Sequence, residues 1–275
     1  MTSGASFCQI RDTWDSHVHL ESSLRLRAAG DTDDVLNETV RLREVLQTFL
    51  DGEIRAGARE LDVRINPLTW RRRGVAWPQL RDALREHVAE ASSIGVTVRV
   101  WFTVKRDASR SQVSGVLRLA SDRGDLTLAG FDISSSYSIE DAISVPAARP
   151  PLSGMKWFAE ELRRESLALA IHCGAYDPPR DIATALESLG AVRIGHALPL
   201  ARSDRLIRLV ADSGAIVEVS ATAAARQGVP TDSHPIRLWV SAGVRVAAGS
   251  DHPLALGTDL RSEVAIIRRL VAAAS

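Results

Sequence analysis

His17 and His19 stand one residue apart in the segment Asp15-Ser16-His17-Val18-His19-Leu20. On a strand, side chains two positions apart project to the same side, so the two imidazoles would converge on one point. In a barrel interior few apolar arguments justify such a pair, whereas a cation does. Four more residues with donor side chains fall at or just beyond the ends of later apolar runs: His172, His196, Asp251 and His252. Three neutral imidazole nitrogens with one carboxylate form a set suited to Zn²⁺, with a position left open for water. His87, in a helical pattern among charged residues, reads as a solvated surface group. His234, just before Pro235, reads as structural at a helix start.

These side chains need a scaffold that brings distant strand ends together. Short apolar, often β-branched runs are expected as strands at Thr13–Leu20, Glu60–Ile65, Thr97–Val104, Leu126–Ile133, Ala168–Cys173, Ala191–His196, Ala215–Val219 and Val244–Gly249. Helical patterns lie between them. Over Val40–Ala56, for example, Leu42, Val45, Leu46, Phe49 and Leu50 recur at spacings of three and four. Alternating units imply parallel strands with right-handed crossovers. Eight of them in 275 residues predict one (β/α)₈ TIM-type barrel over 1–275, with the functional groups at the C-terminal ends of the strands. A doubly wound open sheet is the alternative, but the first strand–helix turn lacks a Gly-rich dinucleotide fingerprint. The irregular segments Glu21–Glu38 and Ser134–Ser153 follow strand ends and are expected to cover the site.

Composition narrows the function classes. Basic and acidic residues balance at 34 each, which gives no bulk electrostatic case for nucleic acid or an anionic membrane. Two cysteines, Cys8 and Cys173, are too few for a disulfide framework or a Cys-rich zinc site. No apolar stretch approaches the roughly 20 residues needed to span a bilayer, and no secretory signal is visible. A cytoplasmic location is the expectation.

The motifs resemble the adenosine deaminase family of metal-dependent amidohydrolases. Residues 15–25, DSHVHLESSLR, resemble the family's opening H-x-H-L-D-G-S-L-R segment. Ile171-His172-Cys173-Gly174 resembles its H-A-G-E motif, Arg193-Ile194-Gly195-His196-Ala197 its R-I-G-H-G motif, and Val217 to Thr222 its E-V-C-P-T. The stretch Ala247–Pro253 resembles the one ending T-D-D-P. The resemblance implies His17, His19, His172 and Asp251 as ligands of one divalent metal, most often Zn²⁺, with Fe²⁺ or Mn²⁺ as alternatives. It implies that His196 orients the attacking water, with Asp251 accepting a hydrogen bond from it.

Departures from the family pattern concern the substrate. The family's acid Glu, which protonates the purine, aligns with Ala175, and the second Asp of T-D-D-P with His252. The Gly offering backbone to the purine after the fourth strand's Gly130-Phe131-Asp132 aligns with Ser135, and the ribose-contacting Asp with Glu21. Substrate contacts are therefore expected around Glu21, Asp132, Ser135, Ala175, Asp177 and Glu218, with Glu218 also a candidate to orient a ligand. His252 is the first candidate to replace the missing acid, with Asp177 and Glu21 behind it. The expected function is hydrolysis of a C–N bond in a small-molecule, non-adenosine substrate. A divergent adenosine or modified-adenine nucleoside deaminase and a non-catalytic binding protein are the alternatives.

Overall fold

A computed structural model describes residues 10–20, 35–122, 126, 128–134 and 150–272. Its strands are β1 (Trp14–His19), β2 (Glu60–Ile65), β3 (Thr97–Lys105), β4 (Leu128–Ser134), β5 (Ala168–His172), β6 (Arg193–Gly195), β7 (Ile216–Val219) and β8 (Arg245–Ala248). All are parallel and hydrogen-bonded in chain order. Val18 and Asp251 form a bridge between the two outermost strands, which closes the ring. The (β/α)₈ barrel is therefore the observed fold. The major helices are α1 (Val35–Arg55), α2 (Pro67–Arg72), α3 (Trp77–Ser93), α4 (Arg110–Ser121), α5 (Lys156–Arg164), α6 (Pro179–Ala183), α7 (Asp204–Ser213), α8 (Ala221–Arg226), α9 (Ile236–Ser241), α10 (Pro253–Leu256) and α11 (Leu260–Ala272).

Alternation along the strands separates two environments. Leu61, Val63 and Ile65 of β2 are buried in the apolar core with Leu42, Leu46 and Leu50 of α1. The intervening Asp62 and Arg64 are also buried, yet they contact residues of β1, β3, β6 and β7. Side chains from those strands meet only inside the barrel. The barrel's interior is thus unusually polar, where branched aliphatic side chains generally dominate.

Two short helices escape periodicity because they are about two turns long, and caps define them instead. Asn66 accepts from the backbone N–H of Leu68 and Thr69 ahead of α2, which carries Pro67 in its first turn. Ser220 accepts from Ala223 N–H ahead of α8. His87 corrects the surface reading: it is only 5% exposed, on the buried stripe of α3 with Leu80, Ala83, Leu84 and Ala91. Among the described residues no helix is long and apolar enough to cross a membrane.

Candidate metal centre

The interior is built in tiers. At the lowest, Asp62 accepts from the indole N–H of Trp14 and Trp101 and pairs with Arg99 and Arg193. Above it, fully buried Arg64 donates to Glu218 from one guanidinium nitrogen, while its Nε lies 3.7 Å from Asp132. Arg193 adds a second bond to Glu218 at 3.0 Å. Burial alone would raise the Glu218 pKa, but Arg64, His17 and Arg193 hold it well below the usual carboxylate range.

The histidines form the top tier. His17 Nδ1–H donates to Glu218 Oε2 at 2.9 Å, and His172 Nδ1–H donates to the Asp132 carboxylate at the same distance. Each bond fixes a tautomer that leaves Nε2 as a bare lone pair. Those two nitrogens nevertheless converge with a third: His17 Nε2 and His172 Nε2 each lie 3.0 Å from His19 Nε2. Asp251 Oδ1 sits 3.5 Å from His17 Nε2 and 3.7 Å from His19 Nε2, buried and, among the described residues, without a hydrogen-bond partner. A proton on His19 Nε2 can serve only one of these two lone pairs, and the other, beside the Asp251 oxygen, is left for a cation to satisfy. Charge agrees with this. Among the described residues the column sets Asp62, Asp132, Glu218 and Asp251 against Arg64, Arg99 and Arg193, leaving an excess of one negative charge. The residues present fit a divalent metal ion.

Local backbone geometry aims these groups. The β1–β2 register shifts between Asp15 and Val18, so Trp14 and His17, three residues apart, both face inward. The Asp15 carboxylate secures the irregularity by accepting from the backbone N–H of His17 and Ser250. His196 and Asp251, just past β6 and β8, adopt left-handed φ values of 61° each, a region non-glycine residues seldom occupy. Backbone bonds hold them there: His196 N–H to Glu218 O at 2.8 Å, and Asp251 N–H to His17 O at 2.8 Å. Such strain is characteristic of functional positions. Space matters equally. A Cβ on Gly249 would lie 2.6 Å from His17 Cβ, and one on Gly195 would lie 2.8 Å from His17 Cε1.

The other expected residues divide. His196 lies at the cage, its Nε2 4.0 Å from Asp251 Oδ2, and burial pushes its pKa down to about 3. The His252 side chain, 21% exposed, stands at the rim with Nε2 3.5 Å from Asp251 Oδ1. Glu218 and Asp132 are buried behind the His17 and His172 rings to which they are hydrogen-bonded, rather than at the mouth. Asp177 accepts from Gly174 N–H within its own turn and lies 3.7 Å from Arg106. Ala175 offers its N–H to Gln227 Oε1 at 2.8 Å. Glu21, Ser135 and most of the two expected covering segments lie outside the described residues. His234 takes up its structural place, accepting Ile236 N–H at Nδ1 and packing edge-on against Trp239.

Arg64 and Gln227 carry no expectation from sequence. Arg64 had a signal, since Asp62 and Arg64 alternate within an apolar run as His17 and His19 do. Gln227 had none.

The sequence profile described as Adenosine deaminase matches residues 13–273. The chain belongs to the adenosine deaminase family. Among its relatives, an aminodeoxyfutalosine deaminase of Streptomyces avermitilis is 29% identical over 220 residues, covering 79% of this chain and 59% of the relative. This family member therefore spans less than two thirds of that relative's length. Among solved structures, an adenine deaminase of Arthrobacter aurescens superposes with a TM-score of 0.77 at 16% identity, covering 94% of this chain and 87% of its own. A zinc-bound amidohydrolase of Burkholderia ambifaria gives 0.74 at 17% identity, covering 85% and 64%. At such identities these two similarities speak for the fold.

Proposed function

We propose that the protein is a hydrolytic deaminase that uses a single divalent cation, Zn²⁺ in the first instance, on an amino-substituted heterocycle other than adenosine. The observation that carries this reading is the intact cage beside an altered mouth. His17, His19, His172 and Asp251 converge, while the family's acid position is Ala175 and its second Asp is His252. The relatives support a family whose members differ in substrate, being named for aminodeoxyfutalosine and for adenine. Zinc in the Burkholderia structure supports the choice of metal.

A divalent cation held by those four side chains supplies Lewis acidity that makes water a nucleophile near neutral pH. The protein's own residues do the rest. Glu218 and Asp132 lock the His17 and His172 rings with Nε2 directed inward, and Arg64 ties the two carboxylates together. His196 and Asp251 stand where a water can be oriented between them. The carbon bearing the amino group gains the water oxygen, and the nitrogen leaves as ammonia. Lacking a carboxyl group at Ala175, the site loses the family's means of protonating a purine ring, a contribution of roughly 10²–10⁴ in rate.

The test is ammonia release by zinc-loaded protein from a panel of aminopurines, their nucleosides and other amino heterocycles. Turnover of a non-adenosine member with adenosine far behind is the expected result. Adenosine turned over as fast as the best alternative would overturn the inference from Ala175.

A further inference from the structure

We infer that His252 is a fifth protein ligand to the cation in the resting site, held weakly and released when substrate enters. The inference rests on the metal reading above and concerns a residue at which this chain departs from its family.

Three observations place His252 there. Its Nε2 lies 3.5 Å from Asp251 Oδ1, the same separation as that from His17 Nε2 to this oxygen. Asp251 Oδ1 is buried and, among the described residues, has no hydrogen-bond partner, so it stands as a shared corner between the two imidazoles. The His252 ring also packs 4.6 Å from the His19 ring, at an interplanar angle of 39°. His19, Asp251 and His252 each offer a ligand atom, all within 4.8 Å of one another. Zinc in catalytic sites can expand from four to five ligands.

Weak attachment follows from what lies behind the ring. Metal-bound imidazoles are generally fixed through their second nitrogen, which sets tautomer and basicity. Glu218 does this for His17 and Asp132 for His172. Among the described residues His252 Nδ1 has no hydrogen-bond partner, and its side chain is the most exposed of the four, at 21% against 3%, 11% and 12% for His17, His19 and His172. The left-handed turn at Asp251 leads directly into His252, which in turn precedes α10. The ring can therefore swing at the rim while the other imidazoles, His17, His19 and His172, stay on strands. In the bound position it occupies the coordination site facing the mouth; once released, it stands beside the substrate.

Cobalt substitution tests this without turnover, because the visible spectrum of Co²⁺ reports coordination number. Wild type, His252→Asn and His252→Ala are loaded with Co²⁺, and affinity is measured by competition with a chelator. The expected result is the weak absorption of five-coordinate cobalt in wild type. Both variants should show a shifted visible spectrum, as a water oxygen takes the place of the imidazole nitrogen, at unchanged stoichiometry and with affinity lower by about tenfold. Superimposable spectra and equal affinities would overturn the inference and leave the metal reading intact. Two cobalt ions per wild-type chain would also overturn it, since His252 would then serve a separate ion. No cobalt uptake by folded wild type would sink the metal reading itself. Circular dichroism of the apo variants establishes that they fold, and agreement between Asn and Ala guards against a local effect of either.

Discussion

Glu218→Gln isolates the role of the buried tier beneath the cage. The amide keeps the shape of the carboxylate but has one acceptor oxygen where three donors now converge: His17 Nδ1–H, Arg64 and Arg193. At least one charge-assisted hydrogen bond is lost, worth about 1.5–3 kcal/mol, and an amide N–H₂ is turned toward a donor. Among the described residues Arg64 then keeps Asp132, at 3.7 Å, as its ion-pair partner. Removing one partner of a buried pair costs about 3–5 kcal/mol; we expect about 3 for the metal-free protein, because the side-chain volume is kept. The His17 ring loses its orienter, so zinc affinity should fall by about 10–100-fold, equivalent to about 1.4–2.7 kcal/mol. Urea unfolding of the apoprotein reads the first quantity and chelator competition the second. Glu60→Gln serves as the control. It breaks partly exposed pairs with Arg11 and Arg99, and should cost less than about 1 kcal/mol with zinc affinity unchanged. A folded Glu218→Gln protein that binds zinc within about threefold of wild type would refute the orienting role.

Other perturbations probe separate parts of the account. Burial lowers the pKa values of His87 and His234 from 6.5 to about 4 each, so between those values the unfolded chain binds more protons. Their contribution is complete above pH 6.5 and declines as pH falls toward 4, by up to about 1.4 kcal/mol per group per pH unit. Denaturation of metal-free protein at pH 7 and pH 5 should show the loss, and His87→Leu should shrink it; an unchanged difference would contradict the assignment. Gly249→Ala drives a Cβ to 2.6 Å from His17 Cβ and 2.9 Å from its carbonyl oxygen. It should cost about 1–3 kcal/mol and lower zinc occupancy measured by elemental analysis. Ala175→Glu restores a carboxyl group at the mouth and should raise adenosine deamination by about 10²-fold or more, as followed by ammonia release.

The convergence of these side chains was largely legible because they obey simple rules. His17 and His19 alternate on a strand, and His172, His196 and Asp251 fall at predicted strand ends. Pairs across the barrel are harder to see. Arg64 and Glu218 are 154 residues apart, and no local pattern joins them. The irregular register at Asp15–Val18 depends on the Asp15 carboxylate meeting Ser250, a contact that exists only once β1 and β8 adjoin. The left-handed backbone at His196 and Asp251 is hidden for a similar reason, since neither is glycine and tertiary hydrogen bonds impose it. His87 is a different case: the buried stripe through Leu80, Ala83, Leu84 and Ala91 includes it. The charged neighbours Arg85 and Glu86 suggested solvent when the spacing pointed inward.

The central claim is that the convergent histidines and Asp251 form a working metal cage. Zinc content per chain, measured after saturation and exhaustive dialysis of wild type and His17→Ala, tests it most directly. A single tightly held zinc is expected in wild type and almost none in His17→Ala, with both proteins folded. A folded wild-type protein that retains no zinc, or a His17→Ala variant that holds zinc as well as wild type does, would contradict it.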